Sequence, residues 1–202
     1  MDWNLALIAL VGYFFGAIPF AVIIAKWHKI NILICGSGNP GATNVYRTAG
    51  KLPGRIVFLC DVLKGFVAVR VAGYLANGNL QLAMMIGLIG AFFGHNFSLF
   101  IKCRGGKGIS VLMGGMAAAM TNVLLIGLLT WGVVFLLTGY VSLASICYSA
   151  ILPLCSYLFG YDKHSNLIVL FLSAFAIARH IPNIRRLLTG TEYRFTPRES
   201  GQ

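Results

Sequence analysis

The sequence predicts an all-α, polytopic membrane protein of seven transmembrane helices, one or two of them short, with the N-terminus outside and the C-terminus in the cytoplasm. Three observations predict it. Hydrophobic residues make up 58% of the 202-residue chain and charged residues only 10%, whereas about a quarter of the residues in water-soluble domains are charged. The apolar residues fall in runs close to the ~20 residues that cross a bilayer as a helix. Basic residues gather in alternate loops, as cytoplasmic segments retain Lys and Arg. The chain has room for six or seven spans and no soluble domain, so residues 1–202 read as a single membrane domain.

The first run, 5–25, ends at Lys26, Trp27 and Lys29, an interfacial anchor pattern. Asp2 precedes it in place of a basic segment, and the run exceeds signal-peptide length, so it reads as a retained span. A polar loop covers 28–53. The second run, 54–75, carries Asp61, Lys64 and Arg70; Asp61 and Lys64 lie three apart on one helical face and are expected to form a structural ion pair. After the turn Asn77-Gly78-Asn79, a third run covers 82–101, with His95 and Asn96 near its end.

Residues 109–138 admit either one long tilted span or two short ones, because Thr121-Asn122 interrupts them. Charge decides between these. With two spans, the loops 26–53, 102–108 and 139–145 and the tail from 179, which includes Arg198, share one side, and the opposite side keeps only Lys163. With one span the tail changes sides and the bias largely disappears. Two spans are therefore expected, although 109–120 would reach only about 18 Å as a helix. The runs 143–159 and 167–178, joined by the outer turn Tyr161-Asp162-Lys163-His164, complete the seven.

A formal charge of +11 would suggest nucleic acid in a soluble protein, but here the cations sit at helix ends and no nucleic-acid module is visible. The five cysteines are an odd number without a C-x-x-C pair, so neither a disulfide framework nor a zinc site is indicated. His95 has no second histidine or carboxylate at metal spacing and reads as a hydrogen-bonded packing residue. No metal and no cofactor are expected.

Four polar clusters share the basic side. The first, Gly36-Ser37-Gly38-Asn39-Pro40-Gly41-Ala42-Thr43-Asn44, is followed by Arg47. Glycine lets backbone N–H groups approach an anion, and hydroxyl and amide side chains add donors; the same composition also makes plain surface turns. The second runs from Arg104 to Gly108, and its Gly105-Gly106-Lys107-Gly108 lacks P-loop spacing and could equally be a flexible basic loop. The third is Ser142 with Ser145, which could simply bond their own helix. The fourth runs from His180 through Asn183 to Glu192, where His180 and Asn183 could also cap or anchor the last span. One shared site explains the coincidence better than four unrelated turns. Arg47 and Lys107 can neutralise phosphate, and His180 is the nearby group whose ordinary pKa suits proton transfer. A phosphate-bearing ligand with an apolar tail would fit such a pocket between helices.

These motifs, with Gly94-His95-Asn96-Phe97, Val141-Ser142-Leu143-Ala144-Ser145-Ile146 and Arg186-Leu187-Leu188-Thr189-Gly190-Thr191-Glu192, occur in an order covering nearly the whole chain. Together they resemble the bacterial acyl-phosphate:glycerol-3-phosphate acyltransferase family. The resemblance implies a seven-span inner-membrane enzyme, with its active site on the cytoplasmic side. It would pass a fatty acyl group from acyl phosphate to the 1-hydroxyl of glycerol 3-phosphate, giving lysophosphatidic acid and phosphate, the entry into phospholipid biosynthesis. It further implies Ser37, Lys107, His180 and Asn183 as catalytic residues. Gly36, Gly38, Asn39, Gly41, Thr43, Asn44, Arg47, Gly105, Gly106, Gly108, Ser142, Ser145 and Glu192 would bind substrate. Neither acyl-CoA nor a covalent acyl-enzyme is implied, and no H-x-x-x-x-D occurs: Leu33, Phe100, Val169 and Arg185 stand five residues after the four histidines. The sequence departs from the family at Ile109-Ser110-Val111, where Val-Ala-Thr is usual. The expected partners are the two substrates and membrane lipid, with no nucleic acid, and the expected state is a monomer.

Two other classes compete. A phosphate channel or transporter would use the same cations, but they lie at one interface, and no internal repeat is visible. A non-catalytic lipid-binding scaffold would leave His180, Asn183 and the glycine loops without a task.

Overall fold

The computed structural model describes residues 3–195, so Asp2 and Arg198 lie outside the described residues. Ten α-helices follow in order: α1 Trp3–Ala17, α2 Phe20–Trp27, α3 Ala42–Thr48, α4 Lys51–Tyr74, α5 Leu80–Asn96, α6 Ile109–Ala119, α7 Thr121–Thr138, α8 Val141–Leu158, α9 Lys163–Arg179 and α10 Ile181–Leu188. Among the described residues there is no strand, only one bridge between Ser98 and Arg104.

The all-helical, integral-membrane expectation stands. Three helical stretches are long and apolar enough to cross a membrane: Asn4–Trp27, Thr121–Thr138 and Val141–Leu158. A fourth is added if Lys163–Arg179 and Ile181–Leu188, bent by 53°, count as one. α4 has the length, at 24 residues, but carries the charges that keep it outside that criterion. Leu80–Asn96 and Ile109–Ala119 are shorter apolar helices.

Helix packing uses small residues, as it must where lipid supplies no hydrophobic drive between helices. α1 and α5 meet through facing Gly-x-x-x-Gly pairs, Gly12 with Gly16 and Gly90 with Gly94; a methyl group at Gly16 would stand 2.0 Å from the Ala91 carbonyl oxygen. α4 and α6 approach in the same way, since a methyl at Gly114 would stand 1.8 Å from the Val62 carbonyl oxygen. The main apolar core, including Leu88, Phe92, Leu112, Met116, Tyr148, Leu152 and Leu172, joins α5, α6, α8 and α9.

Several boundaries differ from expectation. The run 5–25 is broken at Ile18-Pro19, because proline has no N–H to continue the ladder and restrains the residue before it. The loop 28–53 contains a helix, α3. The expected loop 139–145 shrinks to Gly139-Tyr140, with Gly139 at φ 72°, which puts Ser142 and Ser145 in the opening turns of α8. The tail after 179 begins with a helix, α10, whose Pro182 lies in its first turn, where a missing N–H costs nothing. The break in 109–138 stands as expected, at Met120. Asp61 and Lys64 form the expected ion pair, at 2.8 Å. The five cysteines are all free.

Candidate active site

The four polar clusters open onto one cavity of about 1140 Å³. Its polar lining comes from α3 and the loop before it, the loop before α6, the start of α8 and the α9–α10 junction. Its apolar lining includes Phe58, Met113, Leu128, Trp131 and Phe135. Every expected site residue lines this cavity except Gly36 and Gly106. These two serve the loops' shape: Gly36 has φ 59° and packs on Asn44, and Gly106 lies against the His95 ring.

The first loop is held from within. The Asn44 carboxamide, 2% exposed, accepts from the Ser37 N–H at 3.0 Å and donates to the Cys35 carbonyl at 3.0 Å. Gly36 and Gly38, both at positive φ, let the chain turn around it. The Ser37 hydroxyl accepts from the Asn39 N–H at 3.4 Å. Asn44 thus spends its polar atoms on the loop itself, leaving Ser37, Asn39, Gly41 and Thr43 to face the cavity. The Arg47 guanidinium stacks 3.9 Å from the centre of the Tyr193 ring.

From the second loop, the Lys107 ammonium donates to Asn183 Oδ1. Asn183 Nδ2 donates to Glu192 Oε1 at 2.7 Å, and Arg186 Nε donates to Glu192 Oε2 at 2.7 Å. Burial pushes the Glu192 carboxyl up, but the donors Asn183 and Arg186 outweigh it and hold the group below its usual value. Burial pushes Lys107 down to about 8, and the neighbouring arginines act in the same direction against the opposing pull of Glu192.

His180 sits at the bend between α9 and α10, 3% exposed. Burial, aided by the Lys107 charge, pushes it down to about 4, so the imidazole is neutral at physiological pH. Nδ1 lies 2.8 Å from the Ala176 carbonyl oxygen, which can only accept. Nδ1 therefore carries the proton and Nε2 keeps its lone pair. On α8, the Ser145 hydroxyl donates to its own helix at Val141 O, 2.8 Å, and accepts from Trp131 Nε1 at 3.3 Å. The Ser142 hydroxyl is buried beside Glu192 and helps hold that carboxyl below its usual value. Ser110, of the stretch that departs from the family pattern, also lines the cavity.

Four cations here had no site role in the sequence reading. Arg55, Arg104, Arg179 and Arg186 line the cavity, although Arg104 and Arg186 fell within the polar clusters. Arg179 donates to the Gly105 and Gly106 carbonyls at 3.2 and 3.1 Å, so it fixes the second loop. Trp131, inside an apolar run, gave no signal. Six cations line the cavity, namely Arg47, Arg55, Arg104, Lys107, Arg179 and Arg186. Its two carboxylates are already engaged, Asp61 by Lys64 and Glu192 by Asn183 and Arg186. No group of His, Cys, Asp or Glu suited to a metal exists among the described residues.

A helical membrane bundle with a cationic pocket opening into an apolar groove defines a class: proteins that handle anionic head groups attached to acyl chains. The comparisons narrow it. The family model described as glycerol-3-phosphate acyltransferase matches residues 6–190, and the chain belongs to that family. A glycerol-3-phosphate acyltransferase of Thermotoga petrophila is 41% identical over 194 residues, 95% of this chain and 96% of the relative. One of Desulforamulus reducens is 37% identical over 189 residues, 93% of this chain and 94% of the relative. The crystal structure of PlsY (YgiH), described as an integral membrane glycerol 3-phosphate acyltransferase in its glycerol 3-phosphate form, superposes with a TM-score of 0.89 at 34% identity, covering 95% of this chain and 96% of that one. Its lysophosphatidic acid form gives 0.86 at 35% identity, covering 95% of each.

Proposed function

We propose that this protein transfers a fatty acyl group from acyl phosphate to the 1-hydroxyl of glycerol 3-phosphate, releasing lysophosphatidic acid and inorganic phosphate. The observation that carries the reading is the single cavity, whose lining combines six cations with the apolar side chains Phe58, Met113, Leu128, Trp131 and Phe135. Two phosphates can lie there side by side while an acyl chain occupies the groove. That the solved relatives are a glycerol 3-phosphate form and a lysophosphatidic acid form supports it. A channel for phosphate would leave the apolar part of the lining without a purpose.

Acyl phosphate is an activated mixed anhydride, so the protein mainly has to bring two repelling anions together and stabilise the charge that develops. The loop 36–44 with Ser37, and Lys107 with Arg47, hold phosphate. Asn183, locked between Lys107 and Glu192, and neutral His180 orient glycerol phosphate. His180 Nε2, with its lone pair free, accepts a hydrogen bond from substrate. The hydroxyl oxygen of glycerol 3-phosphate attacks the acyl carbonyl, the bond from that carbonyl to the phosphate oxygen breaks, and the departing phosphate takes the hydroxyl proton. Cationic and N–H donors stabilise the oxyanion and the leaving phosphate. No thioester and no acyl-enzyme are needed.

In the membrane we place seven spans, with the N-terminus outside and the cavity on the cytoplasmic side of a bacterial inner membrane, acting as a monomeric, single-domain enzyme. Incubating purified protein with acyl phosphate and glycerol 3-phosphate, without metal or thioester, should yield lysophosphatidic acid and phosphate in equal amounts. Acyl-CoA offered in place of acyl phosphate should give none. Phosphate flux through proteoliposomes without acyl transfer would favour a channel instead.

A further inference from the structure

Three ionisable side chains meet at the cavity wall without a part in the chemistry above. Asp61 and Lys64 of α4 and His95 of α5 are 2%, 5% and 8% exposed. Ionisable groups at such depth in a membrane bundle are costly, and where they persist they hold something in place or act on something. The Asp61–Lys64 pair alone would satisfy itself, but its contacts reach further.

The Lys64 ammonium also donates to the Ile18 carbonyl at 2.8 Å, at the α1–α2 break. Asp61 Oδ1 faces His95 Nδ1 at 3.7 Å, which favours the imidazole tautomer with its proton on that side. The other edge of the ring lies against the second glycine loop: a methyl at Gly106 would stand 2.3 Å from His95 Nε2. The His95 carbonyl accepts from the Gly106 N–H at 3.2 Å. Arg179 also donates to the carbonyls of Gly105 and Gly106. The loop is therefore held by the His95 ring and backbone and by the Arg179 guanidinium, and the next residue is Lys107.

We propose that Asp61 and His95 are positioning residues for this loop: Asp61, neutralised by Lys64, orients the His95 imidazole, and His95 holds Gly105-Gly106 so that Lys107 faces the bound phosphate. This rests on the phosphate-binding role given to the loop above. Both line the cavity wall, but Asp61 is taken up by Lys64 and faces His95, and the His95 ring lies against Gly106, so both act through the loop's placement. A misplacement of about 1 Å in such a site costs on the order of 100-fold in rate, and the size of the effect follows from that.

The test compares Asp61→Asn, His95→Phe and the two combined with the wild type in detergent. It reads thermal unfolding, kcat, KM for each substrate, and hydrogen exchange over residues 103–109. His95→Phe keeps a ring against Gly106 but loses the link to Asp61. Each single variant should unfold near the wild-type temperature, lose on the order of 10- to 100-fold in kcat/KM, chiefly through KM for the substrate whose phosphate Lys107 holds, and exchange faster at the loop. The double variant should be no worse than the more damaging single, because both break one link. Losses that multiply in the double, or folded singles with wild-type KM values and loop exchange, would overturn the proposal. If Asp61→Asn does not fold because it leaves Lys64 unpaired, Asp61→Asn with Lys64→Met removes both charges and takes its place. If that also fails, His95→Phe leaves the ion pair intact and decides alone. A wild-type protein that makes no lysophosphatidic acid would defeat the acyltransferase reading instead, and loop exchange would still judge this one.

Discussion

Lys107 is the residue on which most of the site's charge logic turns. Burial pushes its ammonium down to about 8, reinforced by Arg47, Arg179 and Arg186 and opposed by Glu192. A lysine so depressed is charged below that value and loses its charge as pH rises through it. In the free enzyme, kcat/KM for acyl phosphate should therefore hold steady up to about pH 8 and fall beyond it, approaching tenfold per pH unit. Lys107→Arg should carry the plateau to higher pH, because a guanidinium stays protonated there. Lys107→Ala should leave the fold intact in detergent and lower kcat by about 10²–10³-fold, as loss of one preorganised donor to developing charge does. A pH–rate profile for the three proteins checks both points; an alkaline limb unchanged in Lys107→Arg would remove Lys107 from that role. At this scale the sequence was readable wherever residue type and neighbours agreed, as in the loop of Ser37 and the stretch from His180 to Asn183. It was unreadable for Arg55, Arg104 and Arg179, since a cation at a helix end looks the same whether it meets lipid head groups or a substrate. Asn44 illustrates a third case: composition marked the loop correctly but could not tell the side chain that shapes it from those that face the ligand.

The helices place these residues through close backbone contact. The break at Ile18-Pro19 was written in Pro19 but lost within an apolar run whose hydropathy does not change there. The α9–α10 bend was hidden because α10 is amphipathic and only 8 residues long, so it read as tail. Packing of α1 on α5 yields a sharper prediction. Gly16→Val would drive a side chain into the Ala91 backbone, 2.0 Å from its carbonyl oxygen where only the first carbon is counted. Backbone cannot yield as a flexible side chain can, so the cost should be at least the 1–3 kcal/mol typical of overpacking. Gly132 of α7 is the control, since a methyl there meets nothing within 4 Å. Gly132→Ala should be neutral or stabilising by about 0.5–1 kcal/mol. Thermal unfolding in one detergent compares them; equal midpoints for Gly16→Val and wild type would mean that α1 and α5 are not in the contact described.

For the whole molecule, the convergence of four distant clusters on one cavity bears directly on how the chain lies in the bilayer. Groups sharing one pocket must sit at one depth, so the loop of Ser37, the loop of Lys107 and the junction at His180 belong to the same membrane face. By the excess of basic residues in the loops around them, we place that face in the cytoplasm. The turn before α9, which carries Lys163, then belongs to the outer face, and labelling can test the whole arrangement. Cys103 is exposed in the loop leading to Lys107, and Lys163 is exposed at the start of α9. With the other four cysteines replaced, Cys103 should react with a membrane-impermeant maleimide only in inverted vesicles. A second protein lacking all five native cysteines and bearing Lys163→Cys should react only in intact spheroplasts. Reaction of both sites from one side would require the odd number of crossings between them to become even, breaking the seven-span arrangement while leaving the cavity itself in place. Reaction of each from the side opposite to the one given would keep the spans and invert the molecule, putting the phosphate cradle outside the cell, away from any cytoplasmic supply of acyl phosphate.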